Sequence, residues 1–115
     1  MFKAAILLTR RADMTHEEFA AWWLDEHAPL AGRLPGLRRG VFNVVDAAPA
    51  EGGPDGISEL WFDSRADFEL AYATEIGVTV AADSMAHVSG RVRLFVTEHD
   101  VGGTPSASPG RVQPV

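Results

Sequence analysis

Residues 2–9, Phe-Lys-Ala-Ala-Ile-Leu-Leu-Thr, form a nearly continuous apolar run. A strand with apolar groups on both faces needs cover on both, because a strand facing water on one side alternates instead. Residues 91–99 make the same demand in another form. Val92, Leu94 and Val96 share one parity and Phe95 has the other, so this segment also presents apolar groups on two sides. Whatever the chain folds into must cover both faces of a sheet that carries these two segments.

The stretches between them limit how that can be done. Thr15 and Glu18 have the spacing of a capping box, which starts a helix running to about residue 33, where Pro35-Gly36 stops it. Residues 37–45 and 57–62 read as strands, joined by the breaker-rich loop 47–56 (AAPAEGGPDG). Residues 65–88 read as helix with a break or two short helices, since Gly77 and the branched Val78, Thr79 and Val80 weaken the middle. The order β-α-β-β-α-β is the ferredoxin-like arrangement of the α+β class, an antiparallel four-stranded sheet with both helices on one face. Two helices cover one face, so a second copy of the chain is expected on the other, as a homodimer. Residues 1–101 form the domain in this reading. Residues 102–115 (GGTPSASPGRVQPV) have no periodicity and are expected to be a flexible tail.

Composition removes several functions. The 115 residues include no cysteine, which excludes disulfides, thiolate metal sites and cysteine nucleophiles. A formal charge of −6 argues against a nucleic-acid footprint. No apolar run reaches the roughly 20 residues of a membrane helix, and no signal-peptide pattern precedes the first strand, so a cytoplasmic location with no membrane partner is expected. Metal-ligand spacings such as H-E-x-x-H and Gly-rich phosphate loops are missing, so neither a metal nor another cofactor is expected.

The first helix carries the pattern nearest to chemistry. Phe19, Trp23 and His27 are spaced by four, and Leu30 and Leu34 continue the face. An inward His27 beside two aromatics is either a structural histidine bonded to backbone or a base in a dry pocket. Trp22 and Trp23 together require at least one to point inward. Asp83 and His87 stand four apart on the second helical region, the spacing of a base oriented by a carboxylate and equally of a solvated surface pair. His16 falls in the first turn of helix one and is expected to be solvated. His99 ends the last strand and is expected to be structural. Arg38 and Arg39 alternate, so one points inward, and Asn43 shares the face of Arg39.

Four segments together resemble the EthD family. They are Trp23-Leu24-Asp25-Glu26-His27-Ala28-Pro29-Leu30, Leu34-Pro35-Gly36-Leu37-Arg38-Arg39, Asp55-Gly56-Ile57-Ser58-Glu59-Leu60-Trp61-Phe62-Asp63 and Val96-Thr97-Glu98-His99-Asp100-Val101. The resemblance spans residues 2–101. It implies a dimeric α+β barrel of two ferredoxin-like protomers and cofactor-independent chemistry on small molecules: lactone isomerisation, or dehydration and decarboxylation in aromatic polyketide pathways. It assigns His27 to the family's helix-one histidine and Trp61 to its third-strand tryptophan. Two departures separate this chain from the isomerase type. Gly40 stands where the family often has an aromatic residue, and the loop before the third strand lacks a histidine. His87 falls where members usually have phenylalanine.

These readings give three expectations. The first is an enzyme in which His27 moves a proton, with His87 and Asp83 as partners. Its pocket of Phe19, Trp23, Arg39, Asn43, Trp61, Phe68, Tyr72 and Met85 holds a small oxygenated cyclic, aromatic or polyketide-like substrate. The second is cofactor-free oxygenation of a phenol using Trp61, Asn43 and Tyr72. The third is a non-catalytic small-molecule-binding accessory protein.

Overall fold

The computed structural model describes residues 1–104. Strand β1 (Phe2–Arg10) is followed by helix α1 (His16–Trp22), a π-helical turn (Trp23–His27) and helix α2 (Ala28–Ala31). Strands β2 (Arg39–Val44) and β3 (Gly56–Phe62), helices α3 (Arg65–Ala73) and α4 (Glu75–His87), and strand β4 (Val88–Val96) complete the order. The sheet runs β2-β3-β1-β4, every pair antiparallel, which is the ferredoxin-like topology expected from the element order. The predicted tail lies outside the described residues from position 105 onward.

The local signals act where they were read. The Thr15 hydroxyl accepts from the Glu18 amide at 3.0 Å and the Glu18 carboxylate accepts from the Thr15 amide at 2.8 Å, closing the capping box. The first helix does not run as one regular coil. Pro29 lacks an N–H, and its ring would crowd the carbonyl four residues back. The chain widens there, and the Ala28 amide reaches back to the Trp23 carbonyl. The expected break in the second helical region is present but sits at Thr74, which accepts the Gly77 amide as the N-cap of α4. Gly77 is helical, and its role is contact: a Cβ there would collide with the Ala71 carbonyl and the Tyr72 backbone. Strand β4 begins at Val88, three residues earlier than expected.

The core lies between the sheet and the helices. Ala4, Ile6 and Leu8 of β1 and Leu60 and Phe62 of β3 pack under Phe19, Trp22, Trp23, Phe68 and Val80. Burying a side chain such as Phe19 contributes about 1.5–3 kcal/mol. Trp23 packs against the start of β3 at Gly56, where a Cβ would come within 2.5 Å of the indole ring. The helices leave the other face of the sheet uncovered. Register places Lys3, Ala5 and Leu7 beside Trp61, Glu59 and Ile57 on one side and beside Val96, Leu94 and Val92 on the other. Val92 and Leu94 are about half exposed.

One expectation fails clearly. His16 is buried. Its Nδ1 lies 2.8 Å from Asp55 Oδ1 and its Nε2 2.7 Å from the Val45 carbonyl. Both neighbours are acceptors, an arrangement that favours the doubly protonated ring donating from both nitrogens. Its pKa is raised accordingly, chiefly by the Asp55 hydrogen bond. Asp55 is fully buried and also accepts from the Arg10 amide (2.8 Å) and guanidinium (2.7 Å). Burial pushes its carboxyl up, but these donors outweigh burial and hold it below the usual carboxylate range. The cluster ties the base of the 47–56 loop to β1 and α1.

Candidate functional site

The π-helical turn and helix α4 bring His27 and Asp83 together across 56 residues of chain. His27 Nδ1 donates to Asp83 Oδ2 at 2.8 Å, and the Trp22 indole N–H donates to the same oxygen at 3.2 Å. His27 is 4% exposed, and its pKa is lowered, first by burial and against the pull of the Asp83 hydrogen bond. A neutral ring that donates from Nδ1 leaves the Nε2 lone pair unprotonated. The Ser84 hydroxyl lies 3.3 Å from that nitrogen. The result is the order carboxylate, imidazole, hydroxyl, with the carboxylate fixing the tautomer and the orientation of a base.

His27 and Ser84 line a cavity on the helix side of the sheet. Phe42 of β2, Ser58 and Leu60 of β3, Ile6 and Leu8 of β1, and Arg91 of β4 form its floor, and Trp23, His27, Tyr72, Val80 and Ser84 its roof. It measures about 20 Å³, room for about one water molecule. A second, apolar cavity of about 240 Å³ adjoins it and shares Ala31, Phe42 and Leu60, with Leu37 and Gly40 on its far wall. The missing side chain at Gly40 leaves this space open. Phe42 stands between the two cavities, stacked on Trp23 with ring centroids 4.3 Å apart.

The structure sorts the expected site residues into five groups. His27, Trp23 and Tyr72 line the cavity, and Asp83 stands directly behind His27. His87 is not among the residues that line the cavity. Its ring stacks on Trp22 at 4.2 Å, and its Nδ1 donates to the Asp83 carbonyl at 2.7 Å. The i,i+4 contact of His87 with the Asp83 carboxylate is the longer one, 3.5 Å. The Asp83 side chain therefore orients His27 rather than His87.

Phe19 and Phe68 are core residues away from the cavity, Phe68 within an aromatic group with Phe2, Phe62, Tyr72 and Phe95. Met85 points outward, 64% exposed. Arg39, Asn43 and Trp61 lie on the open face of the sheet, opposite the cavity. There Arg39 stacks over Trp61, Asn43 bonds to Glu59 and the Ile57 carbonyl, and the Trp61 indole donates to Glu98 at 2.6 Å. The trio Trp61, Asn43 and Tyr72 is thus split across the sheet. Glu59 shares that open face, away from His27, and pairs with Lys3 at 2.7 Å.

Ser84, Phe42 and Arg91 belong to the site and were not singled out from the sequence. Arg91 had only half a signal: its parity is opposite to that of Val92 and Leu94, but with apolar groups on both sides of the strand the sequence does not say which side the helices cover. Ser84 had none, because a lone serine in a helix carries no pattern.

A family model described as the EthD domain matches residues 11–90. An uncharacterized 11.0 kDa protein in the thcB-thcC intergenic region of Rhodococcus erythropolis is 26% identical over 103 residues, covering 87% of this chain and 96% of that protein. The crystal structure of an EthD family protein from Bacillus halodurans superimposes with a TM-score of 0.71 at 22% identity, covering 86% of this chain and all of the other. SnoaB, a cofactor-independent oxygenase from Streptomyces nogalater, seen as a mutant form, gives 0.62 at 14% identity over 87% and 94% of the two chains. At these identities the two structures show a shared fold.

Proposed function

This chain belongs to the EthD domain family, and on that premise we propose that it is a small-molecule enzyme working by proton transfer, with His27 as the base. The observation that carries the reading is the hydrogen bond from His27 Nδ1 to Asp83 at 2.8 Å, which leaves the Nε2 of a neutral, buried imidazole beside a cavity. Nε2 takes a proton from the carbon next to a substrate carbonyl. The imidazolium that forms is held by Asp83, and the same proton returns at another atom, completing an isomerisation or cyclisation, or leaves with hydroxide as water. The base supplies about 10²–10⁴ in rate. The larger cavity accounts for substrate size, since an apolar hole of about 150 Å³ accepts a benzene-sized ring. A ring held there meets His27 once Phe42 turns aside. The uncovered sheet face, with its half-exposed Val92 and Leu94, is the surface on which a second protomer packs.

Incubation with a panel of cyclic ketones and lactones, whose α protons exchange only slowly in D₂O by themselves, tests the chemistry without knowledge of the full reaction. Proton NMR should show enzyme-dependent C–H exchange that falls by about 10²-fold or more in His27→Gln. Equal exchange in the variant removes His27 as the base. Oxygen uptake in the same tubes marks oxygenation, the chemistry of the S. nogalater neighbour.

A further inference from the structure

The apolar cavity of about 240 Å³ is walled by Ala28, Ala31, Leu37, Phe42 and Leu60 and completed by Gly32 and Gly40. No charged or hydrogen-bonding side chain lines it. Of these residues only the two glycines are exposed, so the cavity meets solvent between the end of α2 and strand β2, with Phe42 at its inner end. Gly40 is the residue that the fold itself does not require. A glycine inside a strand weakens it, and marks a bulge, a tight bend or the close approach of another backbone or a ligand. Strand β2 pairs regularly with β3 from Arg39 to Val44, and Gly40, opposite Leu60, has no positive φ. Among the described residues a Cβ at position 40 would meet Leu37 Cδ2 and Leu60 Cδ2, each at an ordinary 3.5 Å, and no backbone. Gly56 differs, since a Cβ there would strike the Trp23 ring. With no bulge, no left-handed backbone and no close chain at residue 40, the space that its missing side chain leaves is space for a ligand.

We infer that this cavity takes an uncharged apolar ring and that Gly40 sets the largest ring it admits. The inference deepens the proposed function by naming the substrate class, and rests on that reading only in placing the substrate's ring in this cavity. Each CH₂ group moved from water into such walls strengthens binding about fourfold, until the ring meets residue 40. A ring atom that needs a hydrogen bond finds no side-chain partner there and is held less tightly. The carbonyl end of the molecule, at Phe42, is the end nearest the His27 cavity, because Phe42 lines both.

Titration of the full-length protein with cyclopentanone, cyclohexanone and cyclooctanone, followed by NMR through the methyl groups of Ala31, Leu37 and Leu60, tests this. Dissociation constants should fall about fourfold per added CH₂. Tetrahydropyran-4-one, which has the shape of cyclohexanone with an ether oxygen in place of one CH₂, should bind more weakly than cyclohexanone. Gly40→Leu fills part of the cavity and should weaken cyclooctanone about tenfold or more and cyclopentanone least. Gly40→Ala, whose Cβ the packing accepts, keeps the fold and should act in the same order by a smaller amount. Val41→Leu adds bulk on the opposite face of the same strand, where Val41 pairs with Glu59, and should leave all three affinities unchanged. No saturable shift with any ring, affinity independent of ring size, an unaltered size order in Gly40→Leu, or an equal loss in Val41→Leu overturns the inference. His27→Gln should keep the ring-size order, so a failure of proton transfer and a failure of ring recognition are read separately.

Discussion

Replacing Asp83 with alanine should destabilise the protein by about 2–6 kcal/mol, because one carboxylate oxygen satisfies two buried donors. Those donors are His27 Nδ1 at 2.8 Å and Trp22 Nε1 at 3.2 Å, on residues that are each 4% exposed. Without Asp83 both are left unpaired, at about 1–3 kcal/mol each. The loss is a large part of the roughly 5–15 kcal/mol by which a domain of this kind is stable. Asp83→Asn keeps one acceptor oxygen and should cost less. Urea unfolding at pH 8, where His27 is neutral with or without its partner, measures the difference as a shift in midpoint at constant slope.

The His27→Ala background isolates the pair, and there Asp83→Ala should lose about half its effect, since only the Trp22 bond remains to be broken. A second readout follows from electrostatics. The carboxylate is what resists the burial-driven lowering of the His27 pKa, so its removal should move the His27 titration, followed by NMR, to lower pH. The His27 pKa lies below its unfolded value, so its contribution to stability is present above about pH 6.5 and is lost as pH falls through the folded pKa. An Asp83→Ala penalty under about 0.5 kcal/mol, the scatter of an ordinary surface substitution, or an unchanged His27 titration, would show that the carboxylate does not hold the imidazole.

Two further outcomes are expected. The raised pKa of His16, set first by its bond to Asp55, has the opposite sign: its stabilisation is complete below about pH 6.5 and is lost as pH rises through the folded value. Thermal melts between about pH 6 and 9 should show this decline, and His16→Gln should remove it; the same decline in the variant assigns it elsewhere. Leu94→Glu places a charge on the open sheet face, twice over in a two-fold dimer, and burying each ion costs several kcal/mol. Light scattering should find a dimer for the natural chain and a monomer for the variant, and a monomeric natural chain would refute the packing argument.

Those features that depend on near neighbours in the chain were legible in the sequence. The capping box at Thr15 and Glu18, the stop at Pro35-Gly36, the order of the elements and the inward stripe of Phe19, Trp23 and His27 follow from backbone periodicity and local hydrogen bonds, which act within a few residues. The match to the family over residues 11–90 agrees with what those segments resemble.

Partnership across the fold was not legible. Asp83 has His87 four residues away, yet its carboxylate bonds His27, 56 residues distant, because the π-helical turn and α4 lie side by side over the sheet. His16 sits where a first helical turn meets water, but Asp55, 39 residues on, draws it into the core. Trp61 and Arg91 were decided by parity: once β1 is apolar on both faces, sequence alternation no longer says which face the helices cover, and only their packing puts Trp61 outside and Arg91 beside the cavity. Local sequence determined which segments are helices and strands, while long-range packing chose which side chains meet, because the energies that pair distant groups exist only after the chain has closed around them.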